Sequence, residues 1–201
     1  SAEALLVQTP ERLRASLNLD VRTHHEVIGL DPAARELVVR HDGGTERISY
    51  DALVLSPGAQ ATRPPVPGLD SARVHTLRTV PDAIALRELV TSGARRAVVL
   101  GAGFIGVEAA EALAGQGLAT TIVEFADQVL PALEREVARQ VQAELDRLGI
   151  EVRSAVKASK VEAGADHDTV VLSDGTRLDA DLIVLATGVR PDTAVFEQAG
   201  V

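Results

Sequence analysis

Three short runs of the chain are apolar, or nearly so, at every position. Residues 97–100 (Ala-Val-Val-Leu), 120–123 (Thr-Thr-Ile-Val) and 182–185 (Leu-Ile-Val-Leu) have the continuous hydrophobicity of strands buried on both faces. Residues 104–114 are rich in Ala and carry neither Pro nor Gly after Gly106, which predicts a helix. Residues 80–90 predict another, with Pro81 in its first turn and Ala83, Leu86, Leu89 and Val90 on one side. A third spans residues 133–148, where Leu133, Val137, Val141, Leu145 and Leu148 form an apolar stripe and Gly149 takes the C-cap position. Strands alternating with helices predict an α/β fold around a parallel sheet.

The join between the first strand and its helix carries chemistry. It reads Gly101-Ala102-Gly103-Phe104-Ile105-Gly106, and the next strand ends in Glu124, 21 positions after Gly103. A lone glycine pattern is weak, because glycine-rich turns are common. Here the strand before, the helix after and an acid about 20 residues on all match a dinucleotide-binding unit. Gly101 permits the tight turn, Gly103 lets the backbone approach a pyrophosphate, and Gly106 permits close packing of helix on strand. The unpaired amides of the helix start, that of Ile105 among them, and the positive end of the helix dipole then face the phosphates. Glu124 is placed to accept hydrogen bonds from the two ribose hydroxyls of the adenosine half. A 2′-phosphate would meet like charge there, and Phe125-Ala126-Asp127-Gln128 offer no Arg to hold one, so NAD(H) is favoured over NADP(H). The alternative is a structural turn beside a chance acid.

Charge and composition narrow the class further. The net charge is −9 with no Lys/Arg cluster, which argues against nucleic acid or an anionic membrane as partner. No run of 18 apolar residues exists to span a bilayer, and the first residues do not read as a signal peptide. With no Cys, the chain holds no disulfide, thiolate metal site or cysteine nucleophile of its own. His24, His25, His41, His75 and His167 are scattered without ligand-like spacing and read as surface or loop residues. The cytoplasm is the simplest compartment.

An internal repeat sets the organisation. The segment from Asp42 to Gly58 recurs, two residues shorter, from Asp174 to Gly188, so that Asp51 matches Asp181 at an offset of 130. Residues 37–40 and 169–172 precede the two Asp-Gly turns as strands, a hairpin signal. Residues 26–30 and 159–163 supply one more strand each. Each copy is a small antiparallel meander leading into a buried strand that ends at a glycine, and duplication is the natural explanation. Copy two opens on Gly101; subtracting the offset puts the counterpart turn of copy one before the first residue. Residues 1–11 also lack the strand that opens a doubly wound fold, so the chain is expected to begin inside a second nucleotide-binding domain. Arg63-Pro64-Pro65-Val66-Pro67-Gly68 reads as an extended connector. The expected division is an incomplete first domain at 1–77, an NAD(H)-binding domain at 78–192, and a return to the first at 193–201.

The fingerprint, the repeated meander, the segment Tyr50-Asp51-Ala52-Leu53-Val54-Leu55-Ser56-Pro57-Gly58, the proline connector and Ala186-Thr187-Gly188-Val189-Arg190-Pro191 together resemble the FAD/NAD(P) pyridine nucleotide-disulfide oxidoreductases. Leu6-Val7-Gln8-Thr9-Pro10-Glu11 and residues 18–27 are most similar to the coenzyme A-disulfide reductase and NADH oxidase/peroxidase branch. Ferredoxin reductases of the apoptosis-inducing-factor type share most of these motifs. The resemblance covers the whole chain. It implies a Rossmann-like three-layer NAD-binding domain with an antiparallel meander, plus a truncated half of a similar FAD-binding domain.

The resemblance further implies that NADH passes hydride to FAD in the full-length protein, which then reduces a disulfide or another small-molecule acceptor. It implies homodimerisation through a domain beyond Val201. The family's reactive Cys and FAD phosphate turn would precede this region, so no residue here is assigned a catalytic role. By the same likeness Phe104 covers the flavin until nicotinamide arrives, unless it simply packs at the helix start. Glu108 takes the place of a carboxylate on the nicotinamide side, in a buried polar role. Gly188 would lie along NADH, and Ser56, Pro57 and Gly58 along the flavin adenosine, although each glycine could merely turn the chain off its strand. Val27 matches a position whose backbone meets the flavin adenine. Two other readings compete: a stand-alone nucleotide-binding module without redox chemistry, and a small self-sufficient dehydrogenase using His75 or Tyr50.

Overall fold

The computed structural model describes residues 7–201, so the expectations for residues 1–6, Leu6 of the branch motif included, lie outside the described residues. The chain divides into two units, one formed by residues up to 59 together with 191–201, the other by residues 60–190.

The first unit is small and thinly packed. It opens with α1 (Pro10–Leu17), where Thr9 Oγ1 accepts from the Arg12 amide at 3.3 Å. Three antiparallel strands follow: β1 (Glu26–Asp31), β2 (Glu36–His41) and β3 (Gly44–Ser49), in the order β1-β2-β3. The Asp42-Gly43 turn joins β2 to β3 as expected. Val39 is its one fully buried apolar side chain among the described residues. The buried strand expected over residues 52–55 does not form: the segment is irregular and Val54 is 88% exposed. A strand of that kind needs a parallel neighbour to take up its backbone hydrogen bonds, and no described strand pairs with it. Next, β4 (Ala59–Ala61) carries the chain out of this unit.

The second unit alternates strands and helices. In order it contains β5 (Val74–Thr76), α2 (Val80–Thr91), β6 (Arg96–Leu100), α3 (Phe104–Gly115), β7 (Ala119–Val123), α4 (Arg135–Arg147) and β8 (Glu151–Arg153). A meander of β9 (Ala158–Glu162), β10 (Asp168–Leu172) and β11 (Arg177–Ala180) follows, then β12 (Leu182–Leu185). β13 (Val189–Pro191) pairs with β4, and α5 (Ala194–Gln198) ends the chain back in the first unit. The central parallel sheet has the order β5-β12-β6-β7-β8.

The apolar runs are explained by the three layers. Ala97 and Val99 of β6, with Leu182 and Val184 of β12, pack with Leu86 of α2, Ala110 and Leu113 of α3, and Leu145 of α4. Val98, Leu100, Ile183 and Leu185 point the other way, into Val161, Val170, Leu172 and Ala180 of the meander. Both faces are covered, so no position in these runs can be polar without a partner.

Helix α2 forms as expected, closed by a capping box between Thr79 and Asp82. Leu86 is buried and Leu89 and Val90 pack against it, but Ala83 is exposed. Helix α4 is rotated from its expected stripe. Ala138 and Leu145 are its buried residues, whereas Val137 and Leu148 are 45% and 37% exposed, and Leu133 precedes the helix.

Residues 60–77 belong to the second unit, because Leu69 and Val74 are core residues beneath the meander and β5 pairs in parallel with β12. Residues 191–192 belong to the first unit. A fully buried Asp168 ties this connector down, accepting from Arg73 Nη1 at 3.1 Å, the Gly164 amide at 3.3 Å and Ser71 Oγ.

Asp181 closes the other end of the sheet. Its Oδ2 accepts from the Arg95 and Arg96 amides, both at 2.9 Å, and its Oδ1 from Arg96 Nη2 at 2.6 Å. The Arg96 guanidinium, ahead of the backbone amides, holds this carboxyl at about 2, against an ordinary 3.8. Since the folded value is the lower one, the stabilisation is complete above about pH 4 and is lost as pH falls through about 2. Asp181→Asn is therefore expected to lower stability at neutral pH and to flatten the acid-unfolding curve between about pH 4 and 2. Identical pH profiles for the two proteins would remove the pair from the account.

Candidate functional site

The carboxyl ends of β6, β7 and β12 converge where the fingerprint turn leaves β6. Gly101 has φ +108°, and a Cβ there would stand 2.4 Å from the Ala186 carbonyl oxygen at the end of β12. Only glycine satisfies both constraints. At Gly106 a Cβ would meet the Gly101 carbonyl oxygen at 2.0 Å, so α3 lies directly on the turn. Gly103 differs: its φ is −71°, and a Cβ added there would have no protein atom within 4 Å. Nothing inside the protein requires glycine there. The opening in front of it does, if a ligand backs onto the chain.

Gly103 is the N-cap of α3, and no side chain caps this end. The leading amides of Phe104, Ile105 and Gly106 lack intrahelical partners, as any helix start does. Phe104 and Ile105 are 63% and 55% exposed, so packing at the helix start does not account for Phe104. The arrangement offers donors and a positive dipole end to an anion.

Glu124 stands one residue beyond β7 and is nearly buried. Its Oε2 accepts from the Ala102 amide at 2.6 Å and its Oε1 from the Ala126 amide at 2.7 Å. The acid thus latches the fingerprint turn to the chain after β7. Each oxygen keeps a further lone pair for a hydroxyl. Spacing predicts the acid's place at the strand end, but not this latch.

Gly101, Gly103 and Glu124 line a cleft of about 450 Å³ together with Val123, Phe125 and Thr187. Thr187 Oγ1 donates to the Thr62 carbonyl at 2.7 Å and the Thr62 amide donates to the Gly188 carbonyl at 2.9 Å, which fixes Gly188 at the strand end. A larger groove of about 970 Å³ lies between α2 and α3, walled by Leu86, Val90, Ala112 and Leu113. Arg87, Thr91, Glu111 and Gln116 also line it, but neither the fingerprint turn nor Glu124 does. Glu108 lines that groove and is exposed, which corrects its expected buried role. The helix turns it away from the sheet, and an exposed carboxylate needs no partner.

Val27, Ser56, Pro57 and Gly58 belong to the first unit, whereas the cleft is built wholly from the second. Val27 pairs with Val39 as an ordinary half-buried strand residue. Gly58 has φ +72° and its carbonyl accepts from the Asp192 amide at 3.1 Å, which is enough to explain a glycine. Residues 7–59 contain no glycine-rich turn that opens a helix. His75 sits on β5 with its Nε2 unpartnered, and burial pushes its imidazole below the usual value. Tyr50 lies in the other unit. Among the described residues no group of His, Cys, Asp or Glu is arranged to hold a metal, and no helix is long and apolar enough to cross a membrane.

An NADH oxidase of Methanocaldococcus jannaschii is 36% identical over 203 residues, covering 100% of this chain and 45% of its own length. A NAD-dependent persulfide reductase from A. fulgidus matches with a TM-score of 0.92 at 33% identity, over 97% of this chain and 36% of that one. The water-forming NADH oxidase from Lactobacillus brevis, bound to NADH, matches at 0.91 and 27% identity, over 98% of this chain and 44% of that one. The chain spans less than half the length of these relatives. The family model described as pyridine nucleotide-disulphide oxidoreductase matches residues 3–201, and with the turn, the latch and the three-layer sheet in place the chain belongs to that family.

Proposed function

We propose that the cleft between Gly101 and Glu124 binds NADH, and that the protein is the NADH-binding portion of a flavin-dependent oxidoreductase acting on a disulfide, persulfide or oxygen acceptor. One observation carries the reading. The single glycine of the turn with open space in front of it, Gly103, stands between uncapped helix amides and a carboxylate fixed at the end of β7. Bound there, NADH supplies a hydride, for which FAD is the acceptor in the full-length protein.

The residues of this chain bind and orient. The amides of Phe104, Ile105 and Gly106 hold the pyrophosphate. Glu124 receives the adenosine ribose hydroxyls on its remaining lone pairs. Gly188 borders the nucleotide at the end of β12, and exposed Phe104 and Ile105 face the nicotinamide side. Ser56, Pro57, Gly58 and Val27 serve the flavin adenosine. The relatives' names, NADH oxidase and NAD-dependent persulfide reductase, support this chemistry. The same reading makes the full-length protein a cytoplasmic homodimer whose acceptor is a small molecule or a disulfide.

Glu124→Ala tests it. Losing the ribose contact weakens NADH by about 1–3 kcal/mol, the usual scale for a charge-assisted pair. The Ala102 and Ala126 amides lose their acceptor as well, so thermal stability falls alongside. Fluorescence titration with NADH reads the first effect and calorimetry the second. A variant that loses stability but keeps its NADH affinity would make Glu124 a latch only.

A further inference from the structure

Among the described residues, Asn18, His24, Arg35, Leu130 and Ala155 have a positive φ without being glycine. Four of them are exposed. Leu130, at φ +45°, is buried, and of the five it alone stands before a proline, Pro131. Both features make its conformation unfavourable. A Cβ crowds its own backbone in the left-handed region, and a following proline ring pushes a residue towards extended backbone. Such strain persists only where the surroundings hold it, and it gathers at sites that bind or switch. What the strained backbone makes here is one contact: the Leu130 amide donates to the Ala102 carbonyl at 2.8 Å. Ala102 is the fully buried residue between Gly101 and Gly103, and its own amide donates to Glu124 Oε2 at 2.6 Å.

That contact fixes a peptide plane. The Ala102 carbonyl and the Gly103 amide belong to one trans peptide unit, in which C=O and N–H point opposite ways. With the carbonyl drawn to the segment after β7, the Gly103 N–H is turned away from that segment, and it has no acceptor among the described residues. Gly103 itself lines the cleft, whereas Leu130 does not. We propose that Leu130 is a positioning residue: its amide, set by the strained backbone, keeps the Ala102 carbonyl out of the cleft and presents the Gly103 amide to the pyrophosphate of the dinucleotide. This rests on the dinucleotide reading above. Released from Leu130, the peptide unit can rotate, and half a turn replaces a donor by a carbonyl oxygen, whose negative end repels a phosphate. Glycine at 103 offers little resistance to such a turn, so the plane needs a tie from outside.

Two substitutions separate the backbone of Leu130 from its side chain, read by fluorescence titration of the whole chain with NADH and by calorimetry. Leu130→Ile keeps an apolar side chain of the same volume, but a β-branched residue is a worse occupant of the left-handed region, so the amide is driven off Ala102. Leu130→Gly removes the side chain yet adopts a positive φ freely. The expected orders are opposite. Leu130→Gly has the lower Tm, roughly 5 °C or more below the parent, because a buried side chain is gone. Leu130→Ile has the weaker NADH binding, by about tenfold, the scale of one charge-assisted hydrogen bond, whereas Leu130→Gly stays within about threefold of the parent. A side chain that only fills the core would make glycine the worse variant in both readouts, and that result overturns the proposal. NADH binding to Leu130→Ile at the parent's affinity overturns it too. Should Leu130→Ile not fold, an ester in place of the Val129–Leu130 amide decides, since it removes the donor and keeps the side chain. About tenfold weaker NADH binding is expected there, and unchanged binding overturns the proposal. No NADH binding by the parent chain would overturn the dinucleotide reading itself, and this proposal with it.

Discussion

Gly106→Ala is expected to remove much of the second unit's margin of stability with the smallest possible side chain. The added methyl would sit 2.0 Å from the Gly101 carbonyl oxygen and 3.2 Å from the Ala186 Cβ. Both neighbours belong to the sheet end and the turn, so neither has a rotamer to escape into. Helix α3 must lift off β6, opening the core around Ala109, Ala110 and Leu113. Overpacking against backbone costs about 3 kcal/mol or more. For a chain of this size that is a fall in Tm of roughly 6–12 °C. Calorimetry showing a Tm within about 2 °C of the parent would mean that α3 does not lie where it is described.

Gly103→Val gives the opposite separation. No protein atom lies within 4 Å of the new Cβ, and a φ of −71° suits any residue. The fold survives at the cost of a less favourable N-cap, about 1 kcal/mol. The side chain instead fills the space in front of the helix amides, where a pyrophosphate has to come within hydrogen-bond distance. NADH affinity is expected to fall by at least about 100-fold, since several charge-assisted hydrogen bonds are lost together. A folded Gly103→Val protein that binds NADH as the parent does would make the turn a structural element only.

Much of the second unit can be read from the chain because its strands are covered on both faces. Continuous apolar runs at β6 and β12 leave no other place for them, and the helix between β6 and β7 follows from Ala-rich sequence and the turn before it. The site is legible for the same reason: the fingerprint ties glycine spacing to a strand, a helix and a distant acid at once.

What is not legible in the chain has physical causes. The apolar stripe of α4 runs mostly at four-residue steps, which drift around a helix of 3.6 residues per turn. Val137 and Leu148 thereby slide outward, while Ala138, too small to stand out in a hydrophobic pattern, takes the core position. β5 is three residues long, too short for any period to declare itself, so the connector before it looks like a linker. Residues 52–55 have a strand's composition, yet a strand is a relation between segments, and no described strand pairs with them. The apolar neighbours of Glu108 along the chain suggest burial, whereas burial depends on which way the helix faces. The latch from Glu124 to Ala102 joins segments that only the fold brings together.

Hydrogen exchange on the full chain with and without saturating NADH tests the central claim most directly. Slowed exchange is expected at the amides of Phe104, Ile105 and Gly106 and around Glu124, with residues 7–59 unchanged. Slowing confined to residues 7–59, or none at all under conditions where NADH is bound, would contradict it.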